Sequence, residues 1–132
     1  MAGTRAGYMY KTFPTMNGSW IAPQWGMIQP WWKDLTMNAD SIHFLHRTLA
    51  WVVLMWGIML AIRAWRHTQD TCAHIGKWLG YAVLLQFILG VATIMSGMNI
   101  TLAALHQGGA FILLSITITL LLKIWRVQKP LV

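Results

Sequence analysis

Three long apolar runs organise the chain, and each is interrupted at only a few polar positions. Residues 42–62, IHFLHRTLAWVVLMWGIMLAI, carry their ionisable groups near the start, at His43, His46 and Arg47. Residues 78–95, WLGYAVLLQFILGVATIM, have Gln86 as their main polar member, and residues 100–122 carry His106 near the start and end at Lys123. Each run approaches the ~20 residues that a helix needs to cross the hydrocarbon of a bilayer. Backbone groups in lipid must pair internally, and no short alternating pattern suggests a barrel, so the runs predict helices. The fold class expected is an all-α membrane protein with three transmembrane helices. Residues 1–40 form an outer-side loop or interfacial segment, and residues 41–132 form the transmembrane domain.

Composition supports this. Of 132 residues, 57% are hydrophobic and only 10% are charged, against about a quarter charged in soluble domains. The net charge of +7 would suit nucleic acid if the cations clustered on one exposed face. They sit instead at the ends of the apolar runs, where membrane topology explains them. Arg63, Arg66 and Lys77 follow the first run, Lys123, Arg126 and Lys129 follow the third, and the connector SGMN (96–99) is uncharged. The positive-inside rule therefore places 63–77 and the C-terminus inside, with 1–40 and 96–99 outside. The first 40 residues contain no apolar core of a signal peptide, so insertion through the spans themselves is expected. Trp20, Trp25, Trp31 and Trp32 suit an interfacial layer on the outer surface. A single cysteine, Cys72, excludes an intrachain disulfide, and the only acids are Asp34, Asp40 and Asp70, outside the apolar runs.

The histidines carry the candidate chemistry. In this topology the first and third spans run in the same direction, and His46 and His106 each lie about 8 Å below their helix starts, at 1.5 Å per residue. Ionisable groups within a membrane are functional suspects, and two imidazoles at one depth on like-directed helices suggest shared ligation of a haem iron. Ala103, Gly109 and Ala110 lie on the His106 face and Ala50 lies on the His46 face, leaving room for a flat macrocycle; close helix packing is the competing explanation. Arg47 can reach the interface to pair with a haem propionate, or simply snorkel. His43, one turn nearer the surface, would support a propionate. His67 and His74 read as solvated residues of the inner loop.

The segment IHFLHRTLAW resembles the His-Arg helix start of the haem A synthase family. Residues 84–114 resemble that family's closing helix pair, and AGTRAGYMYKTFPTMNGSW (2–20) is similar to a loop of its proteobacterial and mitochondrial branch. The family's proteins have two similar four-helix halves, each with a histidine pair, and oxidise haem O to haem A for cytochrome oxidase. The resemblance covers the last three helices of the C-terminal half, the half that holds a cofactor haem b. It implies a bis-histidine haem b on His46 and His106, with Arg47 and His43 beside it, in part of a four-helix haem-binding bundle. The glutamate that the other half carries beside its His-Arg motif has no counterpart, so no catalytic residue is assigned and a partner chain or oligomer is implied. Two other readings stay open: a haem-binding or structural subunit of a respiratory complex such as cytochrome oxidase, and a small bis-histidine cytochrome b. The family implies a bacterial inner membrane or a mitochondrial inner membrane.

Overall fold

Two asparagines start the two helices that carry the candidate ligands. Asn38 caps α2 (Ala39–Trp65) by accepting the Asp40 amide at 3.0 Å. Asn99 caps α4 (Ile100–Gln128) by accepting the Thr101 and Leu102 amides at 3.0 and 3.3 Å, so each cap satisfies donors that a helix start otherwise leaves unpaired. Between them runs α3 (Asp70–Met95). Its end is a Schellman stop: Met98 N donates to Thr93 O and Gly97 N to Ile94 O, with Gly97 at φ 69°, the left-handed position that glycine adopts freely. A computed structural model describes these elements over residues 5–66 and 70–128.

Helices α2, α3 and α4 are all long and apolar enough to cross a membrane. In their most apolar stretches only 11%, 22% and 6% of the residues are buried within the protein, so most of that surface is left for lipid or a further helix to cover. The molecule is an all-helical integral membrane protein; no strand occurs among the described residues. Helix α3 packs against both α2 and α4. The seam with α2 is built from small residues, because a Cβ at Gly76 would stand 2.7 Å from Trp65 N and 2.9 Å from Ala61 O. Close backbone approach of this kind replaces the hydrophobic driving force that lipid removes.

The region expected as an inner loop, 63–77, is mostly helix. Helix α2 runs on to Trp65 and α3 begins at Asp70, which corrects the reading of His74: it is an exposed residue of α3, and His67 lies outside the described residues. The two helices extend beyond their apolar runs because the extra turns still pack, through buried Ala64, Cys72 and Gly76.

Residues 5–38 form a cap over the end of the bundle where α2 and α4 begin. It contains a one-turn 3₁₀ helix (Ala6–Tyr8), a Met16–Ser19 turn and the short α1 (Trp31–Met37). The turn pairs Met16 N with Ser19 O at 2.8 Å and carries positive φ at Asn17 and Gly18, the hairpin geometry that Asn-Gly favours. It turns Met16 into the protein, where it packs with Tyr10, Ala22 and Phe44. Lys11 lies against Gly97 and Met98 lies against Gly7. The N-terminal segment and the 96–99 connector therefore share one end of the bundle.

Candidate functional site

His46 on α2 and His106 on α4 face each other with ring centroids 6.4 Å apart and planes 80° apart. The matched depth has a local cause. His46 lies eight residues after its Asn38 cap and His106 seven after Asn99, so both rings sit about 10–12 Å below a cap on helices running in the same direction. A metal bonds an imidazole nitrogen at about 2 Å, and about 1 Å separates that nitrogen from its ring centre, so two axial imidazoles need about 6 Å between centroids. The observed spacing meets that requirement.

The surroundings of His106 orient it. Its Nδ1 lies 3.2 Å from Gln86 O, and Gln86 Nε2 donates to His106 O at 2.7 Å. A ring that donates from Nδ1 to a carbonyl presents the lone pair of Nε2, the usual arrangement of a metal-ligating histidine. Gly90 makes room for the ring, since a Cβ there would stand 2.9 Å from His106 Cε1. Neither Gln86 nor Gly90 was assigned a role from the sequence. Gln86 carried a usable signal, as the one amide side chain in an otherwise apolar span, because such a group in lipid needs a partner. Gly90 carried none, since a single glycine does not say what approaches it.

The small residues around His106 divide between two tasks. Gly109 faces α3, where a Cβ would collide with Gln86 Oε1 and come within 3.8 Å of Leu89. It therefore serves helix packing, not the macrocycle face expected of it. Ala110 is exposed and Ala103 partly so, and these two remain beside the opening. His46 itself is exposed and His106 half-buried, so the space between the rings is open on one side.

Arg47 and His43 turn toward the cap. Arg47 is 5% exposed, and its guanidinium donates to Thr15 O and Tyr10 O at 3.0 Å each and to Pro14 O at 3.4 Å. His43 is fully buried, with Nδ1 2.7 Å from Ala6 O. The sequence suggests propionate pairing or snorkelling for Arg47 and propionate support for His43; these side chains are instead enclosed by residues 6–15 and hold that segment down. The sequence could not show this, because the partners are backbone carbonyls more than thirty positions away. Arg47 Nε, His43 Nε2 and Asp40 Oδ1 are all buried without a hydrogen-bond partner. The three side chains are spaced i, i+3 and i+7 on one face of α2, the face that the cap covers.

Two acids complete the cap. Asp40 accepts from Tyr10 Oη at 2.8 Å and Gln24 N at 3.1 Å; burial, then the hydrogen bond to Asp40, pushes the Tyr10 phenol up to about 12. Asp34 accepts from Asn38 Nδ2, Ser41 Oγ, Ile28 N and Gly26 N. These bonds, led by those from Asn38 and Ser41, hold its carboxyl down to about 2. Phe13 then reaches the bundle, stacking on Trp51 at 5.8 Å and meeting Phe87 edge-on at 5.9 Å; Trp51 lies five residues after His46 on α2, and Phe87 is next to Gln86 on α3. Among the described residues no three His, Cys, Asp or Glu side chains converge, so the histidine pair is the metal-binding candidate.

Comparison with known proteins identifies the family. The family model COX15-CtaA, described as cytochrome oxidase assembly protein, matches residues 1–118. A heme A synthase of Rhodopseudomonas palustris is 35% identical over 127 residues, covering 95% of this chain and 35% of the relative. A heme A synthase of Nitrosospira multiformis is 33% identical over 86% of this chain and 32% of its own length. One from Brucella anthropi is 30% identical over 98% of this chain and 35% of its own. The chain thus spans about a third of the length of the curated relatives it matches. No solved structure matches it. Matched along nearly its whole length by these relatives and through residue 118 by the family model, the chain belongs to the COX15-CtaA family of cytochrome oxidase assembly proteins.

Proposed function

We propose that the chain binds haem b between His46 and His106 and serves haem A formation, the activity named for its relatives. The observation that carries the reading is the 6.4 Å separation of the two imidazoles, together with the Gln86 carbonyl that leaves His106 Nε2 free to ligate. A haem held there supplies redox chemistry at its iron. The chain's own residues orient the ligands and, through the Phe13, Trp51 and Phe87 cluster, keep water from the outer side of the site. Arg47 and His43 act on the haem by fixing the cap; whether either also reaches a propionate is decided by the haem spectra of their variants. With His46 exposed, the remaining wall of the pocket comes from a further helix or a partner chain. The membrane is a bacterial inner membrane or a mitochondrial inner membrane, with the cap on its outer face.

The test is optical and paramagnetic spectroscopy of the purified chain, with pyridine haemochrome analysis of the extracted pigment. A low-spin bis-histidine haem b is expected, lost in His46→Ala and in His106→Ala and kept in His74→Ala. A bis-histidine spectrum that survives either of the first two changes would reject the ligand assignment. A protein that carries no haem when expressed with haem in excess would favour the structural-subunit reading instead.

A further inference from the structure

A groove runs along the surface between α2 and α3 at the end of the bundle away from the cap. Its volume is about 480 Å³, within the ~300–1,000 Å³ of small-molecule clefts. The floor exists because Ala61, Gly76 and Gly80 bring the two backbones together without side chains to fill the surface above them. The walls are apolar and large: Ile62 and Trp65 from α2, Tyr81 and Leu84 from α3. All four are exposed in the protein. Lys77 closes the groove at the helix ends, its ammonium 5.9 Å from the centre of the Trp65 ring. Leu84 to Lys77 spans seven residues, so the groove extends about 10 Å along the membrane normal. It lies around α3 from the haem side, where Gln86 and Gly90 meet α4.

An apolar channel of this length, open to lipid and ending at a cation, matches one occupant: a phospholipid with an acyl chain in the groove and an anionic headgroup at its mouth. The charge distribution selects the anionic kind. Arg63, Arg66, Lys77, Lys123 and Arg126 gather at this end of the bundle, against Asp70 as the one acid there among the described residues. Trp65 and Tyr81 give the amphipathic rings that settle at the headgroup level. Basic pockets between transmembrane helices bind such headgroups. We infer that the α2–α3 groove is a specific site for one anionic phospholipid, with Lys77 donating to its phosphate and Gly80 leaving space for its acyl chain.

The experiment is native mass spectrometry of the delipidated full chain in detergent, titrated with dioleoyl phosphatidylglycerol or dioleoyl phosphatidylcholine. The first adduct is expected to favour phosphatidylglycerol by about fivefold, the contribution of one interfacial cation. Lys77→Gln should remove that preference, whereas Lys123→Gln, outside the groove, should keep it. Gly80→Leu should diminish adducts of both lipids; circular dichroism confirms its helix content, and the exposed Lys77 variant carries the test if the leucine disturbs packing. Equal binding of the two lipids by the unmodified chain would overturn the inference. So would an equal loss from Lys77→Gln and Lys123→Gln, which is the behaviour of diffuse attraction without a site. A groove occupied by another protein helix would show as no lipid adduct at all, and would overturn it as well.

Discussion

Gly90 of α3 lies so close to His106 of α4 that a single added methyl would come 2.9 Å from the imidazole Cε1. The contact ties the position of a candidate ligand to a residue that has no chemistry of its own. The ring cannot turn away freely, because its Nδ1 is committed to Gln86 O on the same helix as the glycine. Gly90→Ala should therefore shift the imidazole off the axis shared with His46 while leaving the helices intact. Outer groups that orient a metal-bound histidine typically matter by about 10- to 100-fold in affinity, and the lower figure is expected here. Haem titration of the purified variant, read at the Soret band, measures it. Unchanged affinity would mean that the ring sits elsewhere when haem is bound.

Arg47 holds the cap through carbonyls of Tyr10, Pro14 and Thr15. Arg47→Met keeps the apolar stem but leaves those acceptors without a donor. A hydrogen bond to a charged group contributes about 1.5–3 kcal/mol, so the loss of even one should raise cap opening by roughly 10- to 150-fold. Hydrogen exchange at the Met16 and Ser19 amides, whose bonds close the cap's turn, reads this directly. Exchange in the middle of α3 should not change. Equal protection in the variant would show that the cap docks through Phe13 and Met16 alone.

Acid should loosen the same cap, and the direction follows from Asp34. Its carboxyl titrates at about 2 in the folded protein against 3.8 ordinarily, so the opened cap binds the proton more readily than the docked one. The stability from this group is complete above the ordinary value and is lost as pH falls from about 4 toward about 2. The Gly26 and Ile28 amides, which donate to Asp34, should follow that titration in nuclear magnetic resonance spectra, with a midpoint near the lower value. A midpoint near 3.8 would mean an undocked carboxylate, and Asp34→Asn should abolish the transition.

Alkali should act through Tyr10. Its phenol is raised to about 12 from 10.0, so the opened cap loses this proton first. The stabilisation is present below the ordinary value and disappears as pH rises from about 10 to about 12. Ultraviolet titration of phenolate, compared between the protein and Tyr10→Phe, isolates this residue from Tyr8 and Tyr81. A Tyr10 midpoint near 10 would show that the phenol is neither buried nor bonded to Asp40.

The spans were readable because hydropathy over about twenty residues is a property of the sequence itself, and the histidine pair was readable because helix direction and depth follow from it. The turns of α3 around Cys72 and Gly76 were not, since they lie beyond the apolar run and are held by contacts with α2. The cap was hidden for a related reason. Residues 5–38 have no helical or alternating period, and their structure comes from Asp34, Asn38, Asp40 and Arg47 binding backbone groups up to 37 positions away. Polar residues near the start of a span looked like interface residues, and burial beneath a folded segment reversed that for His43 and Arg47.

Two axial imidazoles fill both free positions of a haem iron, which leaves no place for an exogenous ligand. The reduced chain should therefore bind no carbon monoxide. The two histidines should then respond differently to removal. His106 is oriented by Gln86 and backed by Gly90, whereas His46 is the more exposed ring. His46→Ala should leave a haem held by His106 that takes up carbon monoxide, and His106→Ala should lose most of its haem. The same filled coordination bears on turnover: with haem O, reductant and oxygen, the 132-residue chain should make no haem A, and adding a chain with a second histidine pair should restore the reaction. Carbon monoxide binding by the unmodified protein, or formyl-haem formed by the chain alone, would show an open iron position and overturn the bis-histidine assignment.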